Sequence, residues 1–290
     1  MRSIARALTI AGSDSAGCAG IQADLKTFAA LGVHGMSVVT AVTAQNTRRI
    51  LNSVHLPVEA VECQIEAVVR DIRVDAVKTG MLPSREIIEA VADLIGAHQL
   101  TPLVLDPVMV SSGGDPLIGP EAVGVLRRRL FPLATTVTPN RYEAEVLTQR
   151  ELTDSRQVKE AARQIHAWGP ASVIITGGHM EDGEESRDCF FDGRRFITLR
   201  ANRRATPNTR GSGCTFASAI AAYLAQGAEL EEAVDKAKSY VTEAIRASFP
   251  LGGGPGPLGH FFASWERPEK SAGSSSESNS RRSESSDSSG

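Results

Sequence analysis

The sequence has few aromatic residues, few cysteines and no long apolar run. Aromatic residues make up only 5% of the 290 residues, and Cys18, Cys63, Cys189 and Cys214 are widely spaced, with no C-x-x-C pair. Because metal and disulfide frameworks need patterned cysteines, this spacing predicts a reduced, cytoplasmic protein. No stretch approaches the roughly 20 apolar residues of a membrane-spanning helix, and the apolar residues 7–11 are too few for a signal peptide. We therefore expect no membrane partner.

The chain also lacks an excess of charge of either sign. Its 31 basic and 34 acidic residues give a net charge of −3. Nucleic-acid-binding proteins carry strong basic patches, so this balance predicts no nucleic-acid partner. The apolar content of 41% and the chain length are sufficient for a sizeable core.

Short apolar runs alternate with longer segments of helical period. The first run, residues 8–11, is followed by Ile21, Leu25 and Phe28 at i, i+4 and i+7. This alternation predicts an α/β fold with a mostly parallel central sheet and helices on both faces. We expect further strands at residues 38–42, 76–78, 103–105, 135–137 and 173–175, a hairpin within residues 189–199, and final helices at residues 215–225 and 230–247.

The composition changes near the end of the chain. Residues 271–290 contain eleven serines among small and charged neighbours. Such a segment cannot bury enough apolar surface to fold. We therefore predict one domain over residues 1–266 and a disordered serine-rich tail over residues 267–290, which we expect to be dispensable for chemistry.

Polar and glycine-rich segments follow strand after strand. Ligands of such sheets bind outside the carboxyl ends of the strands, so these segments together predict a binding site at one edge of the sheet. The segments are residues 12–14, 45–47, 79–81, 106–107, 139–140, 177–179 and 211–215.

The run Gly211-Ser212-Gly213-Cys214-Thr215 opens a helix of small residues. Glycines allow the backbone to approach a ligand closely, and the unpaired amides of a helix start attract anions. The same field lowers the pKa of a thiol, which predicts thiolate character for Cys214. The alternative is a glycine-rich helix start whose cysteine only packs.

Asn140 and Glu143 lie three residues apart at another predicted helix start. They fit a helix cap, and they equally fit a hydrated Mg²⁺ site, because Mg²⁺ prefers oxygen ligands. Asp106, which follows a predicted strand, is either a turn residue or a charge beside the metal.

Gln45 directly follows a predicted strand, and Asp24 lies on the first helix. The amide of Gln45 offers a donor and an acceptor in one plane, which matches the edge of an aminopyrimidine, although it could also satisfy loop backbone. Asp24 is either a ligand or a solvated charge. The chain has no P-loop, and residues 12–17 lack the middle glycine of the dinucleotide fingerprint.

Taken together, these segments resemble the hydroxymethylpyrimidine and phosphomethylpyrimidine kinases of thiamine biosynthesis, in the ribokinase-like superfamily. The likeness covers roughly residues 5–263, in the order that the family requires, and an ordered set is far more specific than any single motif. The resembling segments are ALTIAGSD at 7–14, GIQADLKTF at 20–28, AQNT at 44–47, GML at 80–82, LDPVMV at 105–110, TPN at 138–140, GGH at 177–179 and NTRGSGCT at 208–215.

The resemblance implies a kinase that uses ATP and Mg²⁺. It implies that 4-amino-5-hydroxymethyl-2-methylpyrimidine is phosphorylated first at its hydroxymethyl group and then at the monophosphate, by a protein that forms a homodimer. By resemblance, the acceptor site contains Gly12, Asp24, Gln45, Met81 and Val108; the nucleotide site contains Asn140, Thr176 and Ser212; the metal site contains Asp106 and Glu143; and the anion hole contains Gly211, Gly213 and Cys214, with Cys214 at the position of the proposed base.

The chain departs from the family pattern at four positions. Thr176 and Pro207 stand where the family usually has lysines, Arg210 stands for a histidine, and Cys18 stands for a glycine. The two lost cations could weaken phosphate binding, with Arg210 as a substitute. The alternatives are a pyridoxal kinase, which shares this scaffold, and a catalytically silent nucleotide-binding regulator.

Overall fold

Nine strands form one central sheet in the part of the chain that the structure describes. A computed structural model describes residues 4–110, 117–177 and 184–265. The strands are β1 (Arg6–Asp14), β2 (His34–Gln45), β3 (Ile50–His55), β4 (Ala76–Thr79), β5 (Leu103–Leu105), β6 (Thr136–Val137), β7 (Val173–Ile175), β8 (Glu185–Phe191) and β9 (Phe196–Asn202). Their order in the sheet is β3-β2-β1-β4-β5-β6-β7-β8-β9. Parallel pairing joins six neighbouring strands, β2-β1-β4-β5-β6-β7. At the two edges, β3 pairs antiparallel with β2, β8 with β7, and β9 with β8.

Helices cover both faces of the sheet. They are α1 (Gly20–Ala30), α2 (Val58–Val69), α3 (Arg85–Ala97), α4 (Pro120–Arg129), α5 (Arg141–Thr148), α6 (Ser155–His166), α7 (Ser212–Ala225), α8 (Leu230–Arg246) and the short α9 (Phe262–Trp265). On one face, α2 to α6 pack through a cluster that includes Ile65 and Ile88. On the other face, α1, α7 and α8 pack through a cluster that includes Phe28 and Ile220. The predicted fold class is therefore confirmed.

Most elements lie where the sequence predicts them, but β3 was not predicted. This strand pairs antiparallel with β2 at the sheet edge, with Val54 opposite Val42. Five of its six residues are exposed. A strand without a buried face does not need alternating apolar residues, so its sequence carries no clear strand pattern.

Some predictions fall on residues outside the described ranges. These are the last two residues of the GGH segment, at 178–179, and the tail at 267–290. Among the helices that the structure describes, none has the length and apolar character needed to cross a membrane.

Candidate active site

The candidate site lies at the edge of the sheet where the parallel strands end. β1 ends at Asp14, β4 at Thr79 and β5 at Leu105, and Asp106 follows β5 directly. Helix α7 begins after Gly211 and packs against these three strands. The sheet edge therefore brings the first loop, the Asp106 turn and the start of α7 together, as the sequence predicts.

The two glycines at the start of α7 have different surroundings. Gly211 has a φ of +83°, and a Cβ atom there would collide with the carbonyl oxygen of Cys18. A Cβ atom on Gly213, by contrast, would meet no atom within 4 Å. Gly211 is thus required by the backbone and by the close approach of the first loop, whereas Gly213 faces open space.

The first loop is held by Asp14. Its carboxylate accepts hydrogen bonds from the backbone amides of Ala16 at 2.8 Å, Cys18 at 3.1 Å and Ala19 at 2.9 Å. Because α1 begins at the next residue, Gly20, these bonds fix the loop between β1 and α1. The sequence predicts no role for Asp14 beyond its place in the segment 7–14. Its contacts with nearby backbone amides explain why an aspartate fits here.

A completely buried lysine lies beneath the start of α7. Lys78 Nζ donates to both oxygens of Asp24 at 3.0 Å, and Thr9 and Ser218 donate to the same carboxylate at 2.6 and 2.7 Å. Both ionic side chains have no exposed surface. Burial opposes the charge of Lys78, but the nearby negative charges of Asp24 and Asp106 hold its pKa above the usual value. We therefore interpret Asp24 as the counter-ion of Lys78.

Asp106 and Cys214 complete this charged cluster. Lys78 Nζ lies 3.9 Å from Asp106 Oδ2, an atom that has no hydrogen-bond partner among the described residues. Burial raises the pKa of Asp106 to about 6, against the lowering effect of Lys78. Burial also raises the pKa of Cys214 to about 12, with Lys78 again acting in the opposite direction and Asp106 adding to the rise.

The prediction of thiolate character for Cys214 is therefore wrong. The field of the helix start favours a thiolate, but desolvation disfavours any charge, and the carboxylates of Asp106 and Asp24 disfavour a negative one. Although Cys214 is only half-buried, these effects together favour its neutral thiol.

Asn140 and Glu143 form a complete capping box at the start of α5. The Asn140 side chain accepts from the backbone amide of Glu143, and the Glu143 carboxylate accepts from the backbone amide of Asn140, both at 2.9 Å. Glu143 Oε1 also accepts from the Met109 amide at 3.3 Å. Burial, with the charge of Asp106, raises the pKa of Glu143 well above its usual value.

These contacts confirm the helix-cap interpretation, while the metal role of the acidic residues stays a prediction. Within the described ranges, no group of three or more His, Cys, Asp or Glu residues is arranged to hold a metal. A metal here would need oxygen ligands from a bound phosphate or from water as well.

Four of the predicted acceptor residues, Gly12, Gln45, Met81 and Val108, lie in or shortly after the strands β1, β2, β4 and β5. A Cβ atom on Gly12 would collide with the methyl group of Met81, so the Met81 side chain covers Gly12. Thr40 fixes Met81 by donating to its carbonyl oxygen at 2.7 Å. Gln45 is half-buried at the end of β2, where its backbone amide donates to Ser15 Oγ at 2.9 Å. Val108, also half-buried, follows Asp106. Gly12 and Met81 are in contact; the acceptor role of these residues stays a prediction.

A cleft of about 280 Å³ opens on the other side of the α7 start. Predicted residues Thr176, Ser212 and Gly213 line one part of it. Apolar side chains of α7 and α8 line another part, including Phe216 and Val241. A cleft lined both by a helix start and by apolar side chains suits a nucleotide, because phosphates and a base require these two environments.

Basic residues that the sequence analysis did not select also line this cleft. They are Arg203, Arg204 and Lys238. Lys238 Nζ donates to Asp188 at 2.7 Å, and the other oxygen of Asp188 accepts from the Gly177 amide at 2.9 Å. These residues follow β9 or lie on α8, so no short motif joins them to the loops that carry the predicted site.

A chain segment near residue 254 contacts both the turn after β2 and the loop that precedes α7. The Gly254 amide donates to Thr47 Oγ1 at 3.1 Å, and the Gly256 amide donates to Asn208 Oδ1 at 2.9 Å. Arg210 Nη1 donates to the Thr47 carbonyl oxygen at 3.2 Å. We call residues 251–257 the C-terminal strap. It ties the turn after β2 to the loop that precedes α7.

Comparison with known proteins identifies close relatives. Residues 14–259 match the family model described as phosphomethylpyrimidine kinase. The chain is 51% identical over 256 residues to the hydroxymethylpyrimidine/phosphomethylpyrimidine kinase of Streptomyces coelicolor, covering 88% of this chain and 94% of that one. It is 52% identical over 256 residues to the thiamine biosynthesis bifunctional protein ThiED of Geobacter sulfurreducens, covering 88% of this chain and 52% of that one, so it spans about half of that protein.

A solved structure with the same architecture is that of the pyridoxal kinase of Bacillus subtilis in its ADP complex. It aligns with a TM-score of 0.85 at 43% identity, over 90% of this chain and 99% of that one.

Proposed function

Because the chain belongs to the phosphomethylpyrimidine kinase family, we propose that it transfers the γ-phosphoryl group of ATP to the hydroxymethyl group of 4-amino-5-hydroxymethyl-2-methylpyrimidine. The resulting monophosphate is then phosphorylated to the diphosphate, in thiamine biosynthesis. The observation that carries this proposal is the start of α7, where Ser212 and Gly213 line a cleft and a Cβ on Gly213 would meet no atom within 4 Å.

The start of α7 supplies the electrostatic stabilisation that phosphoryl transfer needs. The reaction depends mainly on positioning and on neutralising charge at the phosphoryl oxygens. Backbone amides at a helix start donate to such oxygens, and Gly213 leaves room for close approach. Because burial raises its pKa, Cys214 is better suited to donate a hydrogen bond near the acceptor oxygen than to remove a proton from it.

Mg²⁺ fits the acidic end of the site. The buried Asp106 Oδ2 lacks a partner among the described residues, and the charge of Asp106 contributes, after burial, to the raised pKa of a second carboxylate, Glu143. Two carboxylates with phosphates and waters form a typical Mg²⁺ environment. When bound, the ion would neutralise charge on the phosphates of ATP. We propose that Asp106 and Glu143 hold it.

The cations of the nucleotide cleft support ATP binding despite the absence of the two usual lysines. Thr176 and Pro207 provide no charge, but Arg203, Arg204 and Lys238 all line the cleft. Lys238 is already paired with Asp188, so we propose that Arg203 and Arg204 provide the positive potential that the triphosphate needs, since its charge attracts guanidinium groups. The substitutions at positions 176 and 207 therefore do not favour the silent-regulator alternative.

The experiment that tests the proposed function compares three acceptors. Purified protein is incubated with ATP and Mg²⁺ together with the pyrimidine alcohol, its monophosphate or pyridoxal, and the products are weighed by mass spectrometry. We expect transfer to both pyrimidines at a higher kcat/KM than to pyridoxal. Transfer to pyridoxal alone would establish the alternative that the Bacillus subtilis neighbour suggests, and ATP consumption with no acceptor dependence would contradict both.

We further propose that the protein is a cytoplasmic homodimer. The β2–β3 edge exposes Val42, Leu51 and Val54 to 48, 60 and 57%, and Val42 lies directly opposite Val54. Exposed apolar side chains on an edge strand are typical of surfaces that pair with another chain. All four cysteines are free, which supports a reducing compartment. Light scattering of the wild type and of Val54→Lys tests the dimer, which the lysine should weaken.

A further inference from the structure

Arg210 lies at the junction of three segments of the acceptor side. Its side chain donates to the Thr47 carbonyl oxygen at 3.2 Å, and its backbone amide donates to the Gly256 carbonyl oxygen at 3.2 Å. The residue directly precedes Gly211, where the α7 start begins. Only 6% of its surface is exposed. A long, flexible and charged side chain is thus held in one place between the turn after β2, the C-terminal strap and the loop that precedes α7.

The guanidinium of Arg210 is not fully satisfied by the described residues. Its Nε atom is buried and has no hydrogen-bond partner among them. Buried donors without a partner are rare, because a buried N–H that has lost water needs an acceptor. With Nη1 directed to Thr47, Nε is the guanidinium donor that lacks an acceptor among the described residues.

The positive charge of Arg210 reaches the first loop. Burial raises the pKa of the Cys18 thiol, and the Arg210 charge acts in the opposite direction. Cys18 also contacts the α7 start, since its carbonyl oxygen lies where a Cβ of Gly211 would be. Arg210 is therefore close to both segments that border the path from the acceptor to the α7 start.

We propose that Arg210 binds the phosphate of the monophosphorylated acceptor and so favours the second phosphorylation over the first. This inference rests on the proposed function. A guanidinium can offer two parallel N–H donors to a phosphate, whereas the pyrimidine alcohol has no anion for it to bind. In the second transfer, an oxygen of the acceptor phosphate forms the new bond to the γ-phosphorus as the bond to the ADP oxygen breaks. Arg210 would hold the oxygens that do not react.

The test compares Arg210→Lys with the wild type on both acceptors. Lysine keeps the positive charge and most of the length but loses the two-donor edge. We expect kcat/KM for the monophosphate to fall about 10- to 100-fold more than kcat/KM for the alcohol, the range of a lost hydrogen bond to a charged group. Equal losses for the two acceptors would overturn the proposal.

Arg48 provides a matched control. It is an exposed arginine beside Thr47, and its guanidinium packs on Gly253 of the C-terminal strap. Arg48→Lys makes the same chemical change at the turn after β2, on an exposed side chain that contacts the strap. It should leave the ratio of the two kcat/KM values unchanged. A similar change in that ratio for both variants would mean that the effect comes from the strap and not from a phosphate contact.

Binding measurements on the wild type distinguish the proposed role of Arg210 from the proposed kinase function. Calorimetry without ATP requires no turnover, and the monophosphate should bind at least tenfold more tightly than the alcohol. This preference should shrink at high salt, because salt screens an ionic contact. Equal affinities would overturn the role of Arg210 even if both acceptors are phosphorylated. Preferential binding of the monophosphate without any phosphoryl transfer would instead contradict the proposed function alone.

Discussion

Lys78 and Asp24 form an ion pair that is completely shielded from solvent, with Nζ 3.0 Å from each carboxylate oxygen. The pair joins β4 to α1, and Ser218 extends it to α7 through its 2.7 Å hydrogen bond to Asp24. Three elements that carry the candidate site therefore share one buried charge pair.

Removal of one partner of this pair should strongly destabilise the fold. Lys78→Met leaves the Asp24 carboxylate buried with only hydroxyl donors, and breaking such a pair costs about 3–5 kcal/mol. Chemical denaturation measures the loss. The double variant Lys78→Met/Asp24→Leu removes both charges and should recover much of the stability. If Lys78→Met unfolded at the same denaturant concentration as the wild type, the ion pair would not contribute to stability as we expect.

The two glycines of the α7 start should respond differently to alanine. Gly211→Ala should lower stability by more than about 1–2 kcal/mol, because alanine resists a φ of +83° and its Cβ collides with Cys18. Gly213→Ala should fold normally but lose up to about 10²- to 10³-fold in kcat, the size of one lost oxyanion donor, because its Cβ would keep the phosphate from approaching the backbone amides. Melting curves and steady-state rates separate the two outcomes, and near-normal activity of Gly213→Ala would remove the anion-hole assignment.

Cys214 should be nearly inert towards alkylation at neutral pH. With a pKa raised to about 12 by burial, only a very small fraction is thiolate. Iodoacetamide followed by peptide mass spectrometry should modify the exposed Cys63 first. Cys214→Ser should reduce kcat by less than about tenfold, because the backbone amides of the α7 start remain. Rapid labelling of Cys214 near pH 7 would contradict the raised pKa.

Gln45→Ala should raise the KM for the pyrimidine and leave the KM for ATP unchanged. The amide can make two hydrogen bonds to an aminopyrimidine edge, and a stranded partner costs about 1–3 kcal/mol. Steady-state kinetics with each substrate varied in turn decide the question. Equal effects on both KM values would remove Gln45 from the acceptor pocket.

Mg²⁺ should stabilise the protein more at alkaline pH than at acidic pH. Burial raises the pKa of Asp106 from 3.8 to about 6, so its folded form binds a proton more tightly than its unfolded form. Without metal, this residue therefore costs stability as the pH rises through about 6. Above that pH the free carboxylate can bind the ion. Melting temperatures with and without Mg²⁺ and ADP at about pH 5 and pH 8 test this.

Glu143→Gln tests the second carboxylate of the proposed Mg²⁺ site. Glutamine keeps an oxygen that can accept from the Asn140 amide but removes a charge. It should weaken the Mg²⁺ dependence of turnover and change stability by no more than the roughly 0.5–2 kcal/mol of a cap interaction. A normal Mg²⁺ titration would limit Glu143 to its capping role.

Short-range patterns were readable from the sequence, whereas long-range charge coupling was not. The Asn140–Glu143 cap and the glycine-rich start of α7 depend on neighbours within a few residues, so they could be predicted. Lys78 lies within four fully buried residues, Ala76–Thr79, and nothing in that run shows that Asp24, 54 residues earlier, neutralises it. The same buried charges explain why the predicted pKa direction of Cys214 was wrong.

The C-terminal strap has a consequence for how the protein is made. Gly254 binds Thr47 across 207 residues of sequence, and Arg210 binds the same residue across 163. During synthesis, the turn after β2 leaves the ribosome long before its partners do, and domains complete their long-range contacts only when the chain is available. These contacts therefore form last, so a nascent chain that stops just short of Gly254 already contains all nine described strands but lacks the contact between the strap and Thr47.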